Sequence, residues 1–269
     1  MSAPDRWPAG HRSALIVTID VDGHYGELNH HGDDSYWISQ AEYDLQAGIW
    51  RLLDLLADRE IQGSICWVGR CVEDRPDAVE RAEADGHDHA IHSWDHRYYR
   101  DMSFEEQLED ASKTIEAIER VTGRKPTGHK SPGWRYNEHT SAVVQKLGLS
   151  WQMDKARDDL PWIERPDPAG PPIVQLPPSR WYDDYTYFVD WTVNPRNAGE
   201  FLRDDLDVLR DEGKLMCLTL HPWVSGRPGP STAIANLLDY AISLGDIWIA
   251  RADHVALWWR EQHGGGSAG

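Results

Sequence analysis

Short apolar runs alternate with amphipathic segments along the chain. Apolar residues fill most of positions 13–19 and 64–68, a pattern typical of buried strands. The same pattern predicts further strands at residues 89–92, 127–131, 149–153, 173–176, 215–220 and 247–250. Helical periodicity predicts the intervening helices at residues 39–56, 76–84, 103–123, 137–147, 198–211, 232–243 and 252–262. This strict alternation predicts a parallel sheet covered by helices, and closing the sheet gives an α/β barrel.

Local signals place two helix starts and one long loop. Ser39 with Glu42, and Ser103 with Glu106, have the spacing of a capping box, which predicts a helix beginning at each serine. Residues 164–185 contain too many prolines for a helix and are predicted to form a loop over one end of the barrel. No linker interrupts the pattern, so we predict a single domain over residues 1–269, with an N-terminal arm at 1–12 and a flexible tail at 264–269.

Charge and composition exclude several classes of partner. The 269 residues carry a formal net charge of −18, which repels phosphate backbones and anionic lipids, so we expect no nucleic acid and no membrane partner. No apolar run approaches the roughly 20 residues that a membrane span needs, and the first residues lack the apolar centre of a secretion signal. Together with three cysteines in no paired pattern, these features favour a cytoplasmic protein that acts on a small molecule.

The 14 tryptophans are the unusual feature of the composition. Several lie in predicted loops, namely Trp94, Trp134, Trp181 and Trp223. They either pack in the core and its rim or form aromatic walls around an apolar or ring-shaped ligand.

Polar residues follow five of the predicted strands. In an α/β barrel the functional side chains lie where the strands end, so these residues are expected to meet at one rim. In chain order they are Asp20 and Asp22, His92 and His96, Lys130, Asp154, and His221.

One carboxylate and two imidazoles in this group make a candidate metal set, Asp22, His92 and His96. Such a set with one open position suits a divalent transition metal, and we expect zinc, with iron, cobalt or manganese as alternatives. Because the chain has 13 histidines, chance HxxxH pairs are common, and by itself this motif favours two exposed loop histidines over a metal site. The aspartate pair and His221, which belong to other strand ends, favour the metal site.

Amide hydrolysis at such a metal needs a base for the water and an acid for the departing nitrogen. Asp20 lies two residues from the proposed ligand Asp22 and can remain unligated, so it is the candidate base. His221 is the candidate acid, and Asp154 is the candidate for holding His221 in its useful tautomer.

Other polar residues have weaker claims. Three histidines after the first strand are expected to form a polar loop rather than to bind a metal: His24, His30 and His31. Asp183 and Asp184 either reach over the pocket or are solvated loop charges. Asp95, between the two ligand histidines, is a candidate hydrogen-bond partner for a metal-bound imidazole.

The motifs TIDVDG, HSWDH, KSPGW and LTLHP, in this order, resemble the polysaccharide deacetylase family, carbohydrate esterase family 4. The resemblance spans residues 13–262. The single residue between the two aspartates, and the sequence from residue 221 onward, are similar to one branch of that family. This branch contains allantoinase-like proteins, cyclic imide hydrolases and an unusual bacterial peptidoglycan deacetylase. The resemblance implies a distorted (β/α)7 barrel and a homo-oligomer, either a dimer or a tetramer.

The family motifs also imply roles for individual residues. Asp20 matches the catalytic base and His221 the catalytic acid, while Asp154 lies near the fourth motif. The matched metal ligands are Asp22, His92 and His96. Where the family usually has an arginine that braces the base, this chain has Lys130, a point charge that we expect to hold the base less rigidly.

These features predict a metal-dependent hydrolase of amide or imide C–N bonds that acts on a small cytosolic amide, cyclic imide or ureide. One alternative is an N-deacetylase of glycans that contain N-acetylglucosamine, and a second is a ligand-binding barrel without catalysis. Aromatic and proline residues near the motifs are the expected substrate contacts: Trp94, Pro132, Trp134 and Trp223.

Overall fold

The computed structural model describes residues 6–264, and every statement about structure below refers to them. The strands are β1 Ser13–Val21, β2 Ser64–Trp67, β3 Asp88–Ile91, β4 Gly128–His129, β5 Trp151–Gln152, β6 Trp162–Glu164, β7 Ile173–Gln175, β8 Leu215–Leu220 and β9 Ile247–Ile249. The α-helices are α1 Tyr25–His31, α2 Ser35–Ala41, α3 Ile49–Ala57, α4 Gly69–Asp74, α5 Pro76–Ala84, α6 Phe104–Thr122, α7 Thr140–Lys146, α8 Pro195–Glu212, α9 Pro222–Ser225, α10 Pro228–Leu244 and α11 Ala252–His263. Two π-helical segments, Asp44–Gly48 and Thr186–Asp190, and 3-10 turns at Tyr99–Asp101, Pro132–Trp134 and Arg180–Tyr182 complete the described elements.

The strands form one curled sheet in the order β6-β7-β5-β4-β3-β2-β1-β8, with β9 beside the start of β1. All pairings are parallel except the one between β6 and β7. Without β6 the path has seven strands, and between β7 and β8 the described residues form only an isolated bridge, from Asp183 to Thr219. This is the α/β barrel that the alternating pattern predicted, and a seam between β7 and β8 gives it the distorted form that the family resemblance implied.

Strand β1 explains why two carboxylates lie two residues apart. It runs to Val21 rather than ending at residue 19, and side chains on a strand alternate between its two faces. Leu15, Val17, Ile19 and Val21 belong to the apolar cluster that packs against the helices, whereas Ala14 and Ile16 belong to a second apolar cluster. Thr18, Asp20 and Asp22 continue this second row, so the interior of the barrel changes from apolar at its base to acidic at its rim.

Of the two helix starts predicted from capping boxes, the structure confirms the one at Ser103 and not the one at Ser39. Ser103 and Glu106 form the predicted capping box at the start of α6. Ser39 does not begin a helix, because it lies inside α2 and its hydroxyl donates to the Tyr36 carbonyl. Asp34 caps α2 instead, accepting from the backbone amides of residues 36 and 37.

The ends of the chain are partly described. Within the predicted N-terminal arm, Trp7 is buried, and its ring centroid lies 5.6 Å from that of Trp259 in α11. Residues 1–5, and 265–269 of the predicted tail, lie outside the described residues. All three cysteines are buried and free, as the composition predicted. Within residues 6–264, no helix combines the length and apolar composition needed to cross a bilayer.

Candidate active site

A cavity of about 580 Å³ opens where the carboxyl ends of the strands meet. Six of the seven catalytic and metal residues predicted from strand ends line it, all except Lys130. The lining residues that matter below are Asp20, Asp22, Glu27, His30, His92, His96, Trp134, Arg135, Asp154, Arg180, Tyr185, Asp190 and His221. The sheet therefore brings the predicted residues into one site.

The candidate metal set is assembled at one wall of this cavity. His92 Nε2 lies 3.4 Å from Asp22 Oδ1, and His96 Nε2 lies 3.5 Å from Asp22 Oδ2. His92 Nδ1 lies 2.7 Å from the Lys130 carbonyl, so its ring donates there and leaves Nε2 for the cavity. The segment between the histidines turns tightly, with φ of 66° at Ser93 and 62° at His96. These are left-handed conformations, and they bring both rings to the same carboxylate.

The same three side chains fit a divalent transition metal. Asp22 Oδ1 is buried and accepts no hydrogen bond from a described residue. Burial lowers the pKa of His92 to about 4 and that of His96 to about 3, so both imidazoles are neutral at pH 7 and in the form that binds metals. Two imidazoles and one carboxylate form a ligand set suited to zinc and related ions.

Asp20 lies beside the metal set and pairs with a lysine. Lys130 Nζ is 2.7 Å from Asp20 Oδ2 and also donates to the hydroxyls of Thr219, at 2.9 Å, and Thr18, at 3.3 Å. Burial raises the pKa of Asp20, but the Lys130 ammonium and nearby imidazoles outweigh it and lower this pKa to about 2. The expectation of a loosely held base is therefore wrong, because three acceptors on two strands, Asp20 and Thr18 on β1 and Thr219 on β8, occupy the three donors of the ammonium group.

His221 faces the metal set from the opposite side of the cavity. Its Nε2 lies 3.8 Å from Asp22 Oδ2 and 4.0 Å from Asp20 Oδ2. Its Nδ1 lies 2.6 Å from Asp184 Oδ1, and its backbone amide donates to Asp184 Oδ2 at 2.8 Å. Burial lowers the pKa of His221, but the carboxylates of Asp184, Asp183 and Asp22 outweigh this effect and hold the pKa well above its ordinary value. A protonated imidazole suits the role of a general acid.

The prediction that Asp154 orients His221 is wrong. Asp154 accepts from the Ser131 amide at 2.6 Å and from Gln152 Nε2 at 2.6 Å, and its Oδ2 lies 3.3 Å from His129 Nδ1. These contacts hold the chain that follows β4, where Lys130 lies. Asp184 could not be selected from the sequence, because its position depends on how the proline-rich loop crosses the seam.

The predicted aromatic contacts are mostly wrong. Trp134 lines the cavity, after positive φ angles at Gly133 and Trp134 turn its chain inward. Trp94 packs away from the cavity because Gly69 leaves room for its ring, and Lys113 Nζ lies 3.8 Å from the ring centroid. Pro132 and Trp223 are buried behind the wall, and Trp223 has its ring centroid 5.9 Å from that of Tyr185, which does line the cavity.

Helix α1 is the part of the site that the sequence pattern missed. The segment predicted to be a polar loop is helical, and both Glu27 and His30 line the cavity. His31 lies beside Glu27, and the His24 ring packs against that of Tyr25 with a centroid distance of 4.3 Å and a tilt of 31°. No hydrogen bond links Asp95 to either ligand histidine among the described residues, and its buried Oδ1 has no partner, so the proposed contact with an imidazole is absent.

The fold is an α/β barrel with a candidate metal site at its rim. The family model for polysaccharide deacetylases matches residues 33–151. A crystal structure of a Mycobacterium smegmatis protein assigned to the polysaccharide deacetylases is 27% identical, with a TM-score of 0.90 over 97% of this chain and 94% of that one. The crystal structure of Puue allantoinase is 25% identical, with a TM-score of 0.86 over 97% of this chain and 95% of that one. The peptidoglycan deacetylase of Helicobacter pylori is 24% identical over 78% of this chain and 83% of its own.

The chain therefore resembles polysaccharide deacetylases, through the family model over residues 33–151 and through relatives and structures that match most of its length. It is accordingly a hydrolase that acts on carbon–nitrogen bonds other than peptide bonds.

Proposed function

We propose that this hydrolase opens an amide bond in a small cyclic imide or ureide. In the overall reaction one water adds to the carbonyl carbon, the C–N bond breaks, and the nitrogen leaves with a proton. A cyclic imide thus becomes an amide that carries a carboxylate. The compact cavity is the observation that carries this proposal.

The cavity favours a small molecule over a polymer for a geometric reason. Its volume of about 580 Å³ is in the range of small-molecule sites. Helix α1 and the π-helical segment Thr186–Asp190 contribute lining residues from two sides. The Pro-rich loop adds Pro178 and Arg180 to the wall. The similarity to an allantoinase over nearly the whole chain supports the same substrate class.

Asp22, His92 and His96 are the proposed ligands of a divalent metal, with zinc as the first candidate. When bound, the metal would acidify a water molecule and polarise the substrate carbonyl. Asp20 takes the proton of the water, since its Oδ1 is buried and has no hydrogen-bond partner within residues 6–264, while Lys130 holds its other oxygen. His221 donates a proton from Nε2 to the departing nitrogen, while Asp184 holds Nδ1.

N-deacetylation of a glycan is the second candidate, and one surface feature favours it. Trp181 and Trp191 are 56% and 39% exposed, and their ring centroids lie 5.1 Å apart. Arg180, which lines the cavity, packs over the Trp191 ring. Exposed aromatic faces beside a site can stack on sugar rings. The similarity to a peptidoglycan deacetylase supports this candidate as well.

A substrate panel on metal-assayed protein separates the two candidates. We expect turnover of succinimide, hydantoin or allantoin and no acetate release from N-acetylglucosamine oligomers. Acetate release from those oligomers without turnover of any cyclic compound would establish the deacetylase instead.

Two variants test the assigned roles. Asp22→Ala is expected to lose both bound metal and activity, whereas Asp20→Asn is expected to keep the metal and lose activity. Elemental analysis gives the metal content, and ring opening gives the rate. Normal hydrolysis by both variants would refute the mechanism.

We also propose that the protein works in the cytoplasm as a homo-oligomer, a dimer or tetramer, without nucleic acid or membrane partners. The net charge of −18 supports the exclusion of polyanionic partners. Light scattering on the purified protein would give the number of subunits.

A further inference from the structure

Glu27 is a buried carboxylate in the cavity that the mechanism does not use. Its residue is 2% exposed, and it lines the cavity from helix α1. Its Oε2 accepts no hydrogen bond from residues 6–264, and no lysine or arginine pairs with it there. Burying a carboxylate without a cation destabilises the folded protein. We therefore looked for a function of Glu27 in the site.

The surroundings of Glu27 fix its position. His31 Nε2 lies 3.3 Å from Glu27 Oε2, and the His31 ring stacks on Trp37 of α2 at 4.4 Å with the planes 7° apart. Asn29 donates to the His96 carbonyl at 2.6 Å, which ties α1 to the metal-ligand loop. These contacts position helix α1, and Glu27 with it, while Oε2 of Glu27 has no hydrogen bond from residues 6–264.

Helix α1 also lies directly against the candidate metal site. A Cβ atom at Gly26 would come within 3.3 Å of both Asp22 Cβ and Asp22 Oδ2. A side chain at residue 26 would require Asp22 to shift by a few tenths of an ångström, so α1 packs closely against the candidate metal site and Glu27 lines the same cavity. Burial and the charge of Asp22 raise the pKa of Glu27 to about 7, as is consistent with a desolvated position near the ligands.

We propose that Glu27 is a specificity-determining residue that accepts a hydrogen bond from an N–H group next to the scissile carbonyl. The proposal rests on the function proposed above and narrows it to substrates with a free ring N–H, as in unsubstituted imides and ureides. An N-alkylated ring presents a methyl group where this donor should be and leaves the carboxyl unpaired.

The experiment compares succinimide with N-methylsuccinimide as substrates. At a pH above the pKa of Glu27, where the carboxyl is charged, loss of its hydrogen bond predicts that Glu27→Ala lowers kcat/KM for succinimide about 10- to 100-fold. For N-methylsuccinimide we expect a change of less than about 2-fold, because that contact is already absent. Glu27→Gln keeps an uncharged acceptor, so its kcat/KM for succinimide should lie between that of the wild type and that of Glu27→Ala. Glu80→Gln, an exposed Glu in α5, is the matched control and should leave both rates unchanged.

The ratio of the two rates distinguishes recognition from folding. If Glu27→Ala lowers both rates equally, or lowers neither, Glu27 does not read the N–H group and the proposal is wrong. Calorimetric binding of both compounds to Asp20→Asn, with and without Glu27→Ala, gives a second measure that needs no turnover. If the wild type hydrolyses neither imide, the proposed function is wrong. In that case, equal binding of the two compounds, or no binding of either, would also refute the role of Glu27. Preferential binding of succinimide that Glu27→Ala abolishes would support that role even so.

Discussion

Replacing Asp184 by asparagine tests how the candidate acid is held. Two donors of His221, the backbone N–H and the Nδ1–H, each point to a different oxygen of one carboxylate, at 2.8 and 2.6 Å. Asparagine has one oxygen and one NH2 group, so either orientation of its amide places two donors against each other. The substitution conserves the shape of the side chain and changes its hydrogen bonding and its charge.

The magnitude follows from those two bonds. A hydrogen bond to a charged group contributes about 1.5–3 kcal/mol, and a buried donor without a partner costs about 1–3 kcal/mol. A combined loss of about 3 kcal/mol corresponds to a decrease of about 100-fold in kcat. Loss of the carboxylate charge should also lower the pKa of His221, so the high-pH limb of the rate profile should move to lower pH.

The assay is kcat against pH for the wild type, Asp184→Asn and Asp154→Asn. Asp154 was the partner expected from the sequence, and its contacts to Ser131 and Gln152 predict lower stability without a shift of that limb. A kcat for Asp184→Asn within about 3-fold of the wild type, with an unmoved high-pH limb, would refute the reasoning. If only Asp154→Asn shifted the high-pH limb, Asp154 rather than Asp184 would be the residue that orients His221, as the sequence predicted.

Three further predictions concern stability. Lys130→Met should cost about 3–5 kcal/mol in urea unfolding, because it leaves Asp20 buried and charged without its cation. The double variant with Asp20→Asn should recover part of this loss, and a double variant no more stable than Lys130→Met would contradict the pairing. Burial lowers the pKa of His87 from its ordinary 6.5 to about 4. The folded state therefore resists protonation of His87, and stability present above pH 6.5 should fall by about 3 kcal/mol as the pH drops to 4. His87→Asn keeps an acceptor for the backbone amide that His87 Nδ1 binds, so it should flatten this slope, and an unchanged slope would assign the loss to other groups. Gly48→Ala should destabilise the protein by about 1–3 kcal/mol and reduce kcat, because the new Cβ would lie 2.1 Å from the Pro222 carbonyl, next to His221. An unchanged free energy of unfolding and an unchanged kcat would show that the π-helical segment Asp44–Gly48 and helix α9 can move apart to accommodate the new Cβ.

The metal half of the site could be predicted because its residues depend on regular structure. Asp20 and Asp22 share a face of β1 through the two-residue period of a strand, and parallel strands bring their ends to the same rim. His92 and His96 follow β3, two strands from β1 in the sheet, so strand order alone brings them near Asp22. The alternation of side chains along a strand and the position of its end can both be read from the local sequence, and the structure has both close to where the sequence predicts them.

The substrate half could not be predicted in the same way. Asp184 and Tyr185 lie in an irregular connection whose path depends on packing across the whole barrel. Glu27 lies on a seven-residue helix without apolar periodicity, and tertiary contacts such as that from Asn29 hold it in place. Trp94 was placed wrongly because a large ring in a loop packs in the core as readily as at a site, and the room left by Gly69 is visible only in three dimensions.

The seam between β7 and β8 gives the two halves of the site different capacities for change. The proposed metal ligands follow β1 and β3, whose continuous ladders constrain every backbone position. The proposed acid follows β8, and the carboxylate that orients it arrives from the β7 side, where the described chain is joined by the single bridge from Asp183 to Thr219. Insertions and substitutions in residues 176–194 can therefore reshape the substrate wall and the leaving-group chemistry without disturbing the ladder around the metal. A barrel of this design can diversify its substrates while it retains one way of activating water.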